Sequence, residues 1–162
     1  MGEKIKLLIV DDEVRFLDAI ARRLEMRDFE VTKAADGTSA LAAAQAAKFD
    51  VALLDLKMPG MDGREVLEAL KAEHRFLEVI ILTGHGSLDS AVECTKLGAF
   101  GYLPKPYELD RLIEVLKDAY EHRLRQKFEH DQQRLDELTK VALGNSPLAI
   151  LRRLRELDDE RK

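Results

Sequence analysis

Val51-Ala52-Leu53-Leu54-Asp55-Leu56-Lys57-Met58-Pro59-Gly60-Met61-Asp62-Gly63 is a short apolar run that stops at a carboxylate and passes into turn residues. Four consecutive apolar side chains without polar alternation read as a strand buried on both faces, and the Pro-Gly and Asp-Gly pairs that follow force an irregular loop. An acid closing such a strand sits at the carboxyl edge of a sheet, where open α/β folds hold their ligands. Taken alone, Asp55 reads equally well as a turn residue, because aspartate satisfies loop N–H groups.

The same grammar recurs on either side. Ile5 to Val10 is apolar except for Lys6 and ends in Asp11-Asp12-Glu13, and Glu30 to Ala34 is a short strand closed by the turn Asp36-Gly37. Val79 to Leu82 ends in Thr83-Gly84-His85-Gly86, and Phe100 to Leu103 in Pro104-Lys105-Pro106. Between these runs the spacing is helical. Leu17, Ile20, Ala21 and Leu24 share one face over residues 14–27, and 38–47 is rich in alanine. Val66, Leu67 and Leu70 share a face over 64–74, and a further helix opens at Ser87 and breaks at Gly98. Strand and helix alternate five times and the interior strands are apolar throughout, so a parallel sheet with helices on both faces is expected. This is the α/β class: a flavodoxin-like doubly wound five-stranded parallel sheet, order 2-1-3-4-5, with a long extended fifth helix opening at Glu108. Strands 1 and 3 are neighbours in that order, which brings Asp11, Asp12 and Asp55 to one crevice.

The bulk numbers narrow the function. A chain of 162 residues has room for one full domain with some length left over. A net charge of −5 argues against a surface that binds nucleic acid as a whole. Cys94 is the single cysteine, which excludes a disulfide framework and a cysteine metal site and fits a reducing compartment. No apolar stretch approaches membrane-spanning length, and Lys6 stands where an N-myristoylation motif needs Ser or Thr. A cytoplasmic location with no membrane partner is expected.

Three carboxylates in one crevice repel each other and are stable together only with protons or a cation. An all-oxygen site with open positions suits Mg²⁺, or Mn²⁺, which keep waters and combine carboxylates with phosphate oxygens. Thr83, a hydroxyl donor, and Lys105, a point charge, stand at the neighbouring strand ends. A nucleophilic carboxylate, a metal, a lysine and a hydroxyl are the parts that phosphoryl transfer requires. Singly, each has a plainer role: helix cap for the acid pair, turn residue for Thr83, solvated side chain for Lys105, packing for Tyr102. His74, His85, His122 and His130 read as solvent-facing, with no metal spacing among them.

Together, Asp11-Asp12, Asp55 with Met58-Pro59-Gly60-Met61-Asp62-Gly63, Thr83 and Lys105-Pro106 resemble the receiver domain of two-component response regulators over about residues 4–120. The resemblance implies that Asp55 is the phospho-acceptor for a sensor histidine kinase. It implies that Asp12, Asp55 and the Lys57 carbonyl bind Mg²⁺ directly, with Asp11 acting through a water. Thr83 and Lys105 would hold the phosphoryl oxygens, Tyr102 would be the switch aromatic, and the Lys105–Pro106 bond would be cis. Lys57 and His85 fall where the family shades the phosphoryl group. Such a domain is no enzyme in the usual sense: uptake and autodephosphorylation are its own chemistry. A phosphohydrolase of the haloacid-dehalogenase type would need a second aspartate where Lys57 stands. A phosphorylation-independent interaction module on the same fold is the remaining alternative.

The tail has its own pattern. The organisation expected is a receiver over 1–120, a helical extension over 121–143 and a short C-terminal helix over 144–162. Ile113, Leu116, Tyr120, Leu124, Phe128, Leu135, Leu138 and Ala142 mix steps of three and four, with Asp131 falling at the gap, and Glu121–Arg125 and Asp136–Lys140 stand as supporting pairs. Continuous helix over 108–143 would run about 54 Å. An exposed seam of that kind wants a partner helix, so a coiled coil or homodimer is expected, through this helix or through the face made by the fourth helix, fifth strand and fifth helix. Gly144 ends the helix, and Ser146-Pro147 starts another with Leu148, Leu151 and Leu154 inward. Residues 145–162 carry five positive and four negative side chains, which is no nucleic-acid patch, so no direct nucleic-acid binding is expected of this chain. Gly144-Asn145-Ser146-Pro147 and Thr83-Gly84-His85-Gly86-Ser87 resemble NtrC-type activators, yet no phosphate-binding Gly-x-x-x-x-Gly-Lys loop is present. A stand-alone receiver and a truncated NtrC-type regulator both fit.

Overall fold

Ile5–Val10 forms β1, which pairs in parallel with β2 (Phe29–Ala34) on one side and β3 (Val51–Asp55) on the other. In this computed structural model, residues 3–58, 61–84, 88–144 and 147–161 are described. The Pro59-Gly60 turn, His85, the cap expected at Ser87 and the cap expected at Ser146 lie outside them. β3 continues the sheet to β6 (Glu78–Thr83) and β7 (Gly101–Pro104), giving the order β2-β1-β3-β6-β7. For the five long strands that is 2-1-3-4-5, the flavodoxin-like doubly wound order. β4 (Lys57–Met58) and β5 (Met61–Asp62) add a two-residue antiparallel ladder just past Asp55, too short for periodicity to signal.

Strand pleating sorts the core into two layers. Leu7, Ile9, Leu53, Ile80 and Leu82 face α1 (Val14–Glu25) and the start of α5 (Leu109–Gly144), meeting Leu17, Ile20, Leu24, Leu112 and Leu116. Leu8, Val10, Leu54 and Ile81 face α2 (Gly37–Ala46), α3 (Gly63–Glu73) and α4 (Leu88–Lys96). The alanine-rich α2 brings its backbone close to the sheet through Ala40 and Ala44, both buried. β3 and β6 are buried from end to end, as uninterrupted apolar strands of a two-sided sheet must be.

At the amino ends of the strands lies a polar layer that periodicity does not announce. Arg123 pairs with Asp50, His122 Nδ1 lies 3.2 Å from the buried Glu78 carboxylate, and Lys71 Nζ donates to the Leu77 carbonyl at 2.8 Å. Two histidines expected to face solvent therefore do not. His122 is half-buried and its ring lies 5.3 Å from that of Phe100, while His74 Nε2 sits 2.6 Å from the Ala44 carbonyl. Each imidazole lies beside a buried polar group from across the fold, a proximity invisible in local spacing.

The chain divides into two units, Met1–Arg123 and Leu124–Lys162, with α5 contributing to both. In the second unit, α6 (Pro147–Glu160) folds back on α5. Arg134 pairs with Asp158 at 2.9 Å, and Arg153 pairs with Glu137 and Glu156. Leu157 is buried, while Leu148 and Leu151 are exposed, so two of the three leucines expected inward face out. The inward stripe is Ile150, Leu154 and Leu157, one of two apolar stripes available on this helix. Glu121–Arg125 and Asp136–Lys140 are not among the ion pairs formed by the described residues; exposed pairs gain too little to order two long side chains.

Candidate functional site

The carboxyl ends of β1, β3, β6 and β7 bring together most of the residues singled out in the sequence. Asp11 follows β1 and is fully buried; its backbone N–H donates to the Ala34 carbonyl and its Oδ1 accepts from the Glu13 N–H at 2.9 Å. That bond fixes the turn that leads into α1, whose N-cap is Glu13 without a side-chain cap bond, so Asp11 shapes the turn and lines the crevice at once. Asp55 closes β3, buried, with Oδ1 accepting from the Lys57 N–H at 3.0 Å. Oδ2 points instead at Lys105, whose Nζ lies 3.1 Å away and also reaches Asp11 Oδ2 at 3.5 Å. Asp12, the least buried of the three acids, completes a cluster in which one carboxylate oxygen from each lies within 4.8 Å of the others.

Charge and burial pull against each other here. Burial lifts the Asp11 pKa above its ordinary value and the Asp55 charge adds to the lift, while the Glu13 N–H and Lys105 oppose it. Burial would lower the Lys105 pKa, but the hydrogen bond to Asp55 and the charges of Asp55 and Asp11 hold it above the ordinary lysine value. A clustered set of hard oxygen donors of this kind is one that suits Mg²⁺ or Mn²⁺ by its chemistry.

Thr83 ends β6, buried, in register with Pro104 on β7, and its carbonyl accepts the Lys105 N–H at 2.7 Å. The Lys105–Pro106 peptide bond is cis. Lys57 belongs to β4, and its side chain lies over Gly84, where an added Cβ would meet Nζ at 3.8 Å. Tyr102 lies on β7 beside these residues and is exposed. His85 is outside the described residues.

The region from Leu7 to Lys117 matches the family model of the response regulator receiver domain. This chain belongs to the response regulator receiver family. Among its relatives is the DNA-binding transcriptional regulator NtrC of Salmonella typhimurium, 39% identical over 114 residues, which are 70% of this chain and 24% of that protein. The transcriptional regulatory protein FixJ of Bradyrhizobium diazoefficiens is 36% identical over 119 residues, 74% of this chain and 58% of the relative. The receiver therefore spans only about a quarter to three-fifths of the curated relatives it matches. A solved CheY-like receiver from Methanospirillum hungatei superposes with a TM-score of 0.73 at 32% identity, covering 76% of this chain and 99% of that one. The receiver is of the NtrC type, a signalling domain of two-component systems, and domains of this family bind Mg²⁺ at an acidic pocket. No helix among its described residues is long and apolar enough to cross a membrane.

Two aromatic residues at the site escaped the sequence reading. Phe16 on α1 places its ring 5.0 Å from Lys105 Nζ, and Tyr107, two residues past Lys105, meets Phe16 edge-on at 6.2 Å. The Lys-Pro-Tyr run carried a signal for Tyr107. Phe16 carried none, since it precedes the inward-facing stripe of its helix.

Proposed function

We propose that this receiver takes a phosphoryl group onto Asp55 from the phosphohistidine of a sensor histidine kinase, in a two-component phosphorelay. The observation that carries the reading is the Asp55 carboxylate, one oxygen fixed by the Lys57 N–H and the other 3.1 Å from Lys105 Nζ, inside a three-aspartate cluster. Asp12, Asp55 and the Lys57 carbonyl would hold Mg²⁺ (or Mn²⁺), with Asp11 acting through a water; the bound ion supplies positive charge for phosphoryl oxygens. An Asp55 oxygen attacks phosphorus, the donor's P–N bond breaks, and its electron pair returns to the imidazole, which takes a proton from solvent. Lys105 and Thr83 hold the transferred oxygens, so little charge is left unpaired in the transition state. Water later attacks phosphorus and releases phosphate, restoring the Asp55 carboxylate.

The output reading follows from the elements attached to the site. Thr83 ends β6 and Tyr102 lies exposed on the adjacent β7, so movement of both would change the face of α4, β7 and α5. That face, or the C-terminal helix, is the proposed homodimer surface. The chain itself is read as cytoplasmic, with no direct contact to nucleic acid. Incubation with acetyl phosphate and Mg²⁺ should add one phosphoryl group by intact mass, abolished by EDTA and by Asp55→Ala. Label retained in Asp55→Ala would remove Asp55 from the acceptor role.

A further inference from the structure

We propose that Phe16 is a positioning residue for Lys105, its ring face holding the ammonium over the acceptor carboxylate while Tyr107 fixes the ring's orientation. The proposal rests on the phospho-receiver reading. Lys105 Nζ lies 5.0 Å from the Phe16 ring centroid, within the roughly 6 Å over which a ring's negative face attracts a cation. Tyr107 packs edge-on against that ring, at 6.2 Å and an interplanar angle of 78°. The Tyr107 hydroxyl is buried without a hydrogen-bond partner, so what it contributes here is the contact of its ring.

The ring matters because the other attractions on Lys105 are not constant. Its two carboxylate partners, Asp55 and Asp11, are the groups a metal ion and a phosphoryl group would engage. Once their charge is shared with a cation, the Coulomb pull on the ammonium falls. The aromatic quadrupole is unaffected by that change. A lysine stem has four flexible carbons, and without a second holder it would leave the crevice when a cation engages the carboxylates and no phosphoryl group has yet arrived. Phe16 is that holder.

Phe16→Leu keeps apolar bulk and removes the π face, whereas Phe16→Tyr keeps the face. In the full chain with acetyl phosphate at saturating Mg²⁺, Phe16→Leu should slow uptake about three- to tenfold and Phe16→Tyr should stay within about twofold of the native rate. In a Lys105→Ala background Phe16→Leu should add nothing. Independently of turnover, the Lys105 ε-protons should show an upfield ring-current shift by NMR, with and without Mg²⁺, that disappears in Phe16→Leu. Unshifted ε-protons, a native rate in Phe16→Leu, or an undiminished loss in the Lys105→Ala background would each overturn the proposal. An unlabelled wild-type chain would overturn the receiver reading and the proposal with it, whereas a labelled wild type with an indifferent Phe16→Leu overturns the proposal alone.

Discussion

Arg123 Nε lies 2.9 Å from Asp50 Oδ1, tying α5 to the residue before β3 across seventy-three positions of chain. The same arginine donates Nη1 to the Phe76 carbonyl at 3.3 Å, and Asp50 Oδ2 accepts the Lys6 N–H at 2.9 Å. Both side chains are mostly covered, at 14% and 21% exposure, so water screens the pair only partly. Arg123→Ala would leave the Asp50 carboxylate and the Phe76 carbonyl without this donor. The expected loss is about 1–3 kcal/mol of unfolding free energy, read from urea unfolding of the full chain. An unchanged midpoint would mean that the pair behaves as an exposed one.

Asp11 gives a prediction whose sign runs against the usual carboxylate. Its folded pKa lies above the ordinary value of 3.8, first through burial and then through Asp55. The native chain thus holds this proton to higher pH than the unfolded chain does. The contribution to stability is greatest below 3.8 and is lost as pH rises through the folded value. Above the folded value, the ionised Asp11 is a net cost to the fold. Asp11→Asn should therefore raise the melting midpoint at pH 7 by roughly 2–5 °C and flatten the decline in stability above pH 4. It should also blunt the stabilisation that Mg²⁺ would give the wild type under the proposed function, about 2.7 kcal/mol at a hundredfold excess over Kd. A lower midpoint, or full Mg²⁺ stabilisation in the variant, would contradict this reading.

Gly63 is fixed by contact rather than by dihedral angle. A Cβ there would lie 2.7 Å from Leu56 Cδ2 and 3.2 Å from Leu56 Cα. The side-chain tip can swing away, but the backbone carbon adjoins Asp55. Gly63→Ala should cost about 1–3 kcal/mol by overpacking and also shift the acceptor, weakening Mg²⁺ binding severalfold. Thermal melts and a Mg²⁺ titration followed by NMR would measure both. Native stability with native affinity would show that the loop yields freely.

The three predictions draw on features of different legibility. Asp55, Thr83 and Lys105 could be placed together because each closes or follows an apolar run, and the end of a run is a one-dimensional property. The sheet order followed, since strict alternation of strands and helices leaves few parallel arrangements. Arg123–Asp50, His122–Glu78 and Phe16–Lys105 join residues on different elements whose crossing no local pattern encodes. α6 shows the same limit in small compass. Leu148-Leu151-Leu154 and Ile150-Leu154-Leu157 are both helical stripes, and only the position of α5 selects the second.

That selection leaves an apolar surface open. Phe128 and Leu135 on α5 are 64% and 57% exposed, and Leu148 and Leu151 on α6 are 66% and 60% exposed. Side chains of this size gain about 1.5–3 kcal/mol each on full burial, enough in combination for association. If the C-terminal helix is the dimer surface proposed above, the chain should sediment as a dimer at tens of micromolar. Beryllofluoride with Mg²⁺ should shift the monomer–dimer equilibrium. Phe128→Glu with Leu135→Glu should give a monomer that still takes up label from acetyl phosphate at the native rate, because the crevice is built from residues of the first unit and these two belong to the second. A dimer that survives both substitutions would move the interface to the face of α4, β7 and α5. A chain monomeric throughout, with or without beryllofluoride, would remove self-association from the output.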